Sequence, residues 1–73
     1  MEIKDMNLRE CKKFIDDCGW EWHVNTQDYS FDVLWVLPKN RYDIVNNSGI
    51  RIDGNALITR KHFRQACAAL ELR

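Results

Sequence analysis

The chain has little glycine, little proline and no net charge. Its 73 residues include three Gly and one Pro, and eleven acidic side chains balance eleven basic ones. Three scattered glycines are too few for a Gly-rich phosphate-binding loop. The longest apolar run, residues 33–37, is far shorter than the roughly 20 residues that span a bilayer. A hydrophobic fraction of 45% predicts one folded domain over residues 1–73 and excludes a disordered chain.

The cysteines fit neither a disulfide framework nor a zinc site. There are three, an odd number, and none stands in a close pair. A zinc site needs a fourth ligand and close pairs, so we expect no metal and no cofactor. Cys11, Cys18 and Cys67 all lie on predicted apolar stripes, which indicates free, buried thiols. Because no apolar segment behind the N-terminus is typical of a secretory signal, the sequence favours a cytoplasmic protein.

Two helices are marked by apolar residues at helical spacing. The first is predicted over residues 8–18, because Asn7 and Glu10 have the spacing of a capping box and Gly19 is suited to a left-handed stop. The second begins after Thr59, a residue type favoured as an N-cap. The stripes consist of Leu8, Cys11, Phe14, Ile15 and Cys18 in the first helix and of Phe63, Ala66, Cys67 and Leu70 in the second.

Between the helices the pattern changes to the period of β-strands. Every second residue from Trp20 is apolar, which predicts a half-buried strand, and residues 31–37 are apolar on both faces, which predicts a central strand. Residues 26–28 are predicted as a loop, residues 42–45 as a third strand paired to the second, and residues 50–52 as an optional fourth. The predicted fold is two-layer α+β, in the order α-β-β-β-(β)-α, with both helices on one face of an antiparallel sheet.

The neutral total conceals a division of charge along the chain. The first 37 residues carry eight acids and four bases, and the remainder carries three acids and seven bases. Three bases crowd the start of the second helix, where cations are unfavourable and anions bind. The simpler interpretation is that these bases face solvent or form exposed ion pairs, which contribute only about 0–1 kcal/mol. The candidate site for a phosphate or an acidic partner consists of Arg60, Lys61, Arg64, Lys39 and Arg41.

The second helix resembles that of the double-stranded-RNA-binding domain. Residues 59–70 share with that family a hydroxyl cap, paired basic residues, a third base and then small residues that pack on a sheet. The order of helices and strands at this length is similar as well. The resemblance implies that Arg60, Lys61 and Arg64 contact phosphates across a groove of RNA.

A second resemblance, to the HicA toxins, bears on catalysis. These small ribonucleases share the predicted topology. Their first helix is followed by a Gly-Trp pair, which corresponds to Gly19 and Trp20 in this chain. Their catalytic His follows a Gly-Ser pair, and no such pair precedes a His in this chain. Acid–base cleavage needs a positioned proton carrier, and only His23 and His62 are available. We therefore expect no enzymatic activity, and a ribonuclease that uses His23 is the least favoured hypothesis.

The first two predicted strands offer a different kind of site. Three tryptophans are natural core residues of a small domain, but an exposed one would anchor a protein interface. Acidic residues on the outer face of the sheet would suit a basic protein partner, although a solvated face is the simpler interpretation. The protein-interface candidates are Glu21, His23, Asp28, Asp32 and Trp22.

The sequence favours a non-catalytic protein-binding module, a regulator or inhibitor that occupies the surface of a macromolecular partner. Small domains of this kind often come from mobile elements, which points to a nucleic-acid-handling complex as the target. The alternative is direct binding of RNA or DNA through the basic residues, and neither hypothesis involves a membrane. Net neutrality favours a protein partner, because nucleic-acid-binding domains are commonly more basic.

Overall fold

Residues 2–27, 31–39 and 49–73 are described by a computed structural model, and their elements follow the predicted order. The bounds are Ile3–Asp5 for a 3-10 helix, Leu8–Asp17 for α1, Trp20–Gln27 for β1, Phe31–Pro38 for β2, Ile50–Asp53 for β3 and Arg60–Glu71 for α2. The α+β fold predicted from the sequence is thereby confirmed. No helix in these ranges is long and apolar enough to cross a membrane.

Local signals fix both ends of α1. The Glu10 N–H donates to Asn7 Oδ1 at 2.8 Å and the Asn7 N–H donates to Glu10 Oε1 at 2.9 Å, which completes the predicted capping box. At the other end Gly19 adopts a left-handed φ of 80° and turns the chain into β1. Cys18 is exposed. Its predicted burial is wrong, because this residue caps the helix where the chain turns and does not face the sheet.

The three strands form one antiparallel sheet in the order β1-β2-β3, so β2 is central as predicted. β1 continues through Thr26 and Gln27, which the sequence placed in a loop. Both residues pair with β2, and Thr26 Oγ1 donates to Asp32 Oδ1 at 2.9 Å across the strands. The loop prediction is wrong because this pairing extends the ladder beyond the apolar alternation.

β3 is the segment that the sequence predicted only as an optional fourth strand. Ile50–Asp53 pairs with β2, in a register that joins Ile50 to Val36 and Asp53 to Val33. The strand predicted at residues 42–45 lies outside the described residues.

Both helices pack on one face of the sheet, which we call the helix-covered face. Side chains of β2 and β3 that point to this side meet the apolar stripes of α1 and α2, and Trp20, Trp22 and Ile52 pack half-buried at the margin. The buried cluster consists of Met6, Cys11, Ile15, Leu34, Val36, Ile50, Phe63, Ala66, Cys67 and Leu70. This cluster is the core of the described part of the chain.

The two helices run in the same direction, so their starts meet at one end of the molecule. Arg64 Nε donates to the main-chain oxygen of Met6, just before α1, at 2.7 Å. At the other end the Arg73 guanidinium lies 5.4 Å from the ring centroid of Trp20, just after α1. Trp20 also pairs with Pro38, the last residue of β2. The end of β2 therefore lies far from the start of α2.

Candidate binding surfaces

The basic cluster predicted at the start of α2 is present in part. Arg60 and Lys61 are exposed. Arg64 is half-buried, and its Nε donates to the main-chain oxygen of Met6 at 2.7 Å. Since this charge-assisted bond ties α2 to the segment before α1, Arg64 has a structural role in addition to any role in binding.

Lys39 lies at the opposite end of the molecule from this cluster. Its backbone N–H donates to the Gly19 oxygen at 2.9 Å, and its Nζ forms an ion pair with Asp16 that lowers the pKa of that carboxyl. Lys39 is seven residue steps, about 23 Å of extended chain, from Asp32 at the end of the sheet where α2 begins. The structure therefore does not bring Lys39 together with the cluster, and Arg41 lies outside the described residues.

The sheet face away from the helices carries an apolar stripe along β2. In the described ranges no helix packs on this face, since α1 and α2 both contribute to the core on the other side. Val33 is fully buried here, whereas the other apolar side chains of the stripe are half-buried. The surface, which we call the open face because neither α1 nor α2 packs on it, consists of Phe31, Val33, Trp35 and Leu37 of β2, Glu21, His23 and Asn25 of β1, and Arg51 and Asp53 of β3.

Trp35 stands in the middle of a row of three side chains across the open face. Its cross-strand partners are His23 on β1 and Arg51 on β3. The guanidinium carbon of Arg51 lies 5.4 Å from the centroid of the Trp35 ring, a cation–π distance. Arg51 Nε is 2.8 Å from Asp53 Oδ1, and His23 Nε2 is 3.5 Å from Glu21 Oε1. The row is thus an aromatic centre with a polar pair on each side.

The structure places the predicted polar interface residues in different positions. Glu21 and His23 are exposed on the open face. Asp32 lies at one end of the sheet, where its carboxylate accepts from Thr26 and its main-chain N–H donates to the Ala56 oxygen at 3.1 Å. Asp28 is outside the described residues. Two of the predicted residues therefore share a face with Trp35.

Trp35, and not the predicted candidate Trp22, lies on the open face beside His23. Trp22 lies on the helix-covered face, edge-on to Phe63 with ring centroids 5.2 Å apart and with Lys12 Nζ 4.5 Å from its own centroid. The alternation within residues 31–37 did place Trp35 opposite the even-numbered apolar residues of β2. Because both sides of that strand are apolar, the pattern alone could not say which side the helices cover.

The histidine of α2 and two of the thiols have structural surroundings. His62 Nδ1 accepts from the Thr59 N–H at 2.9 Å and so helps to cap the helix. Burial raises the pKa of the Cys11 thiol and raises the pKa of Cys67 to about 12, the opposite of what a nucleophilic thiol needs. Within the described ranges no group of three His, Cys, Asp or Glu side chains could hold a metal ion.

No family model, curated protein or solved structure matches this chain. The resemblance to the double-stranded-RNA-binding domain therefore rests on the element order and on residues 59–70, and its functional implication stays a prediction. Among the described residues, the candidate binding surfaces are the open face and the basic start of α2.

Proposed function

We propose that this protein is a non-catalytic module that binds a partner protein through its open face and regulates or inhibits that partner by covering part of its surface. The observation that carries the proposal is the row formed by His23, Trp35 and Arg51, in the middle of an apolar stripe that both described helices leave uncovered. Trp35 is half-buried, so part of its surface is available for a partner.

The composition of the open face resembles that of a protein interface. Such interfaces have a core rich in aromatic residues and Arg, surrounded by a polar rim. Phe31, Trp35 and Leu37 supply the core, and the pairs Glu21–His23 and Arg51–Asp53 supply the rim. Trp and Arg are also among the residue types most enriched at binding hot spots. On the open face Trp35 would serve as the anchor, and the polar pairs around it would exclude water from the contact.

The charges of the open face indicate how the partner is held. Arg51 is balanced by Asp53, and Glu21 adds a single acidic charge beside His23, so these four side chains create no large field of one sign. We infer that affinity comes from burial of Trp35 against an apolar surface of the partner. Screening by salt acts on exposed charges, so binding should depend only weakly on ionic strength.

The test compares variants against one identified partner. The partner is captured from cell extract with the tagged protein, identified, purified and titrated against Trp35→Ala and Arg51→Glu. We expect each variant to weaken binding about tenfold or more, because Trp35→Ala removes the aromatic anchor and Arg51→Glu replaces the cation beside its ring with an acid next to Asp53. Circular dichroism checks that each variant is folded. If Trp35→Ala fails to fold, Arg51→Glu still tests the interface.

Control variants make comparable changes on the helix side. Leu72→Ala removes an apolar side chain that is 88% exposed at the end of α2, and Arg9→Glu reverses a charge on the exposed side of α1. Both controls should retain the wild-type affinity. Unchanged binding by Trp35→Ala and Arg51→Glu, or equal loss in the controls, would refute an interface on the open face.

Direct binding of nucleic acid is the second candidate, favoured by the exposure of Arg60 and Lys61 at the start of α2. Fluorescence anisotropy with labelled double-stranded RNA and DNA, at low and physiological salt, tests it. Binding to phosphates weakens steeply with salt, and replacing both residues by Ala should abolish it. If such binding occurs and the open-face variants retain it, nucleic-acid binding replaces protein binding as the proposed function.

A further inference from the structure

A shallow groove lies between the 3-10 helix and α2, on the side of the molecule opposite the open face. Its volume of about 430 Å³ is within the range of small-molecule sites, roughly 300–1,000 Å³. The groove is lined by Ile3, Lys4, Lys61, Arg64, Gln65 and Ala68. Because these residues share nothing with the open face, a ligand here would bind independently of the proposed interface.

Three cations from two elements converge on this groove. Lys61 and Arg64 are three residues apart and lie on one side of α2, and Lys4 comes from the 3-10 helix. The described acidic partner of Lys4 is Glu2, at 3.3 Å, and both side chains are largely exposed, so this pair contributes only about 0–1 kcal/mol. Lys61, in the first turn of α2, also opposes the dipole of that helix. The groove therefore has an excess of positive charge that a bound anion would relieve.

Arg64 is held in place without any ligand. Its Nε donates to the main-chain oxygen of Met6 at 2.7 Å. A guanidinium fixed through its Nε keeps two Nη groups in a set plane, which suits bidentate contact with a carboxylate or a phosphate. Less conformational entropy is then lost when an anion binds.

Apolar groups complete the lining. Ile3 and Ala68 contribute aliphatic surface, and the methylene stems of Lys4 and Lys61 extend it. A bare inorganic ion would leave this surface unused. We propose that the groove binds a small organic anion, with its carboxylate or phosphate group held by the three cations and its apolar part against Ile3 and Ala68.

Titration with two anions of equal chain length, hexanoate and hexyl phosphate, tests the proposal. Amide shifts of the ¹⁵N-labelled protein are followed by NMR at low salt. We expect saturable shifts centred on Lys61, Gln65 and Ala68, and binding of hexanol, the uncharged analogue, that is weaker by about tenfold or more. Saturation by only one of the two anions also supports the proposal and identifies the head group.

Two neighbouring bases supply a matched pair of variants. Lys61 lines the groove, whereas Arg60, also exposed and one residue earlier, does not. Lys61→Ala should weaken binding of the anions by about fivefold or more, and Arg60→Ala should leave it within about twofold of wild type. The spectra themselves show whether each variant is folded.

Several results would overturn the proposal. Equal binding of hexanol would show that the groove is merely apolar. Shifts that never saturate, or equal losses in Arg60→Ala and Lys61→Ala, would show that anions respond to the general positive field at the start of α2. Salt-sensitive binding of double-stranded RNA that both variants weaken equally would assign the same residues to an extended phosphate surface.

Discussion

At the scale of single residues, two buried thiols link the stability of the protein to pH. Cys11 of α1 and Cys67 of α2 meet where the helices pack, and Cys67 Sγ donates to the Cys11 oxygen at 3.5 Å. Both residues are fully buried. Burial raises the pKa of each thiol because a thiolate would lose its hydration in the core. The folded protein therefore keeps these groups neutral where an unfolded chain would ionise them.

We predict that the free energy of unfolding falls as the pH rises above 9. The pKa of Cys67 is about 12 in the fold, against an ordinary value of 9.0 in the unfolded chain. Between these values the unfolded state has lost a proton that the folded state retains, so stability declines by up to about 1.4 kcal/mol per pH unit. Urea denaturation across this range should show a shallower decline for Cys67→Ala. Parallel curves for the two proteins would contradict the assignment.

At the scale of elements, α1 depends on how its end is formed. Gly19 turns the chain from the helix into the sheet with a φ of 80°, and no atom lies within 4 Å of a Cβ added there. Any cost of a side chain at this position therefore comes from the backbone conformation and not from crowding.

Gly19→Ala should destabilise the protein by about 1 kcal/mol, because an L-residue with a Cβ is strained in the left-handed region. Gly19→Asn should cost less, since Asn tolerates this conformation better than Ala. Thermal or urea denaturation of the three proteins measures the difference. Equal stability of the Ala and Asn variants would contradict backbone conformation as the cause.

The helices could be predicted closely because their signals are local. The capping box of Asn7 and Glu10 and the stop at Gly19 lie within the same short segment as the apolar stripe of α1. Strand bounds depend instead on a partner strand elsewhere in the chain. Thr26 and Gln27 are polar, so only their pairing with β2 shows that they belong to the sheet.

At the scale of the whole molecule, topology decides which charges meet. The Asp16–Lys39 pair joins the acidic first half of the chain to the basic second half. The other described pairs between acids and Lys or Arg, Lys4–Glu2, Lys13–Asp17 and Arg51–Asp53, form within one half. Lys39 is therefore engaged far from the start of α2, and Lys4 lies beside Lys61 and Arg64 in its place. The sequence alone could not indicate either position, because Lys39 is placed by the end of β2 beside α1 and Lys4 by the packing of the 3-10 helix against α2.

The open face was predictable only in part for a similar reason. Alternation along β2 separated Trp35 from Leu34 and Val36, and the outer positions of Glu21 and His23 follow from the period of β1. Which apolar side of β2 the helices cover depends on the connections between elements. Trp35, the side chain on which the proposed interface depends, therefore became identifiable only in the folded molecule.

Site-specific photo-crosslinking tests most directly whether the open face meets a partner protein. A photoreactive phenylalanine analogue is placed at His23, which is exposed on the open face, or at Arg9, which is exposed on α1. In cells that express the protein, irradiation should give a discrete covalent complex from the His23 position and none from the Arg9 position. Complexes from the Arg9 position alone, or from neither position, would contradict a protein interface on the open face.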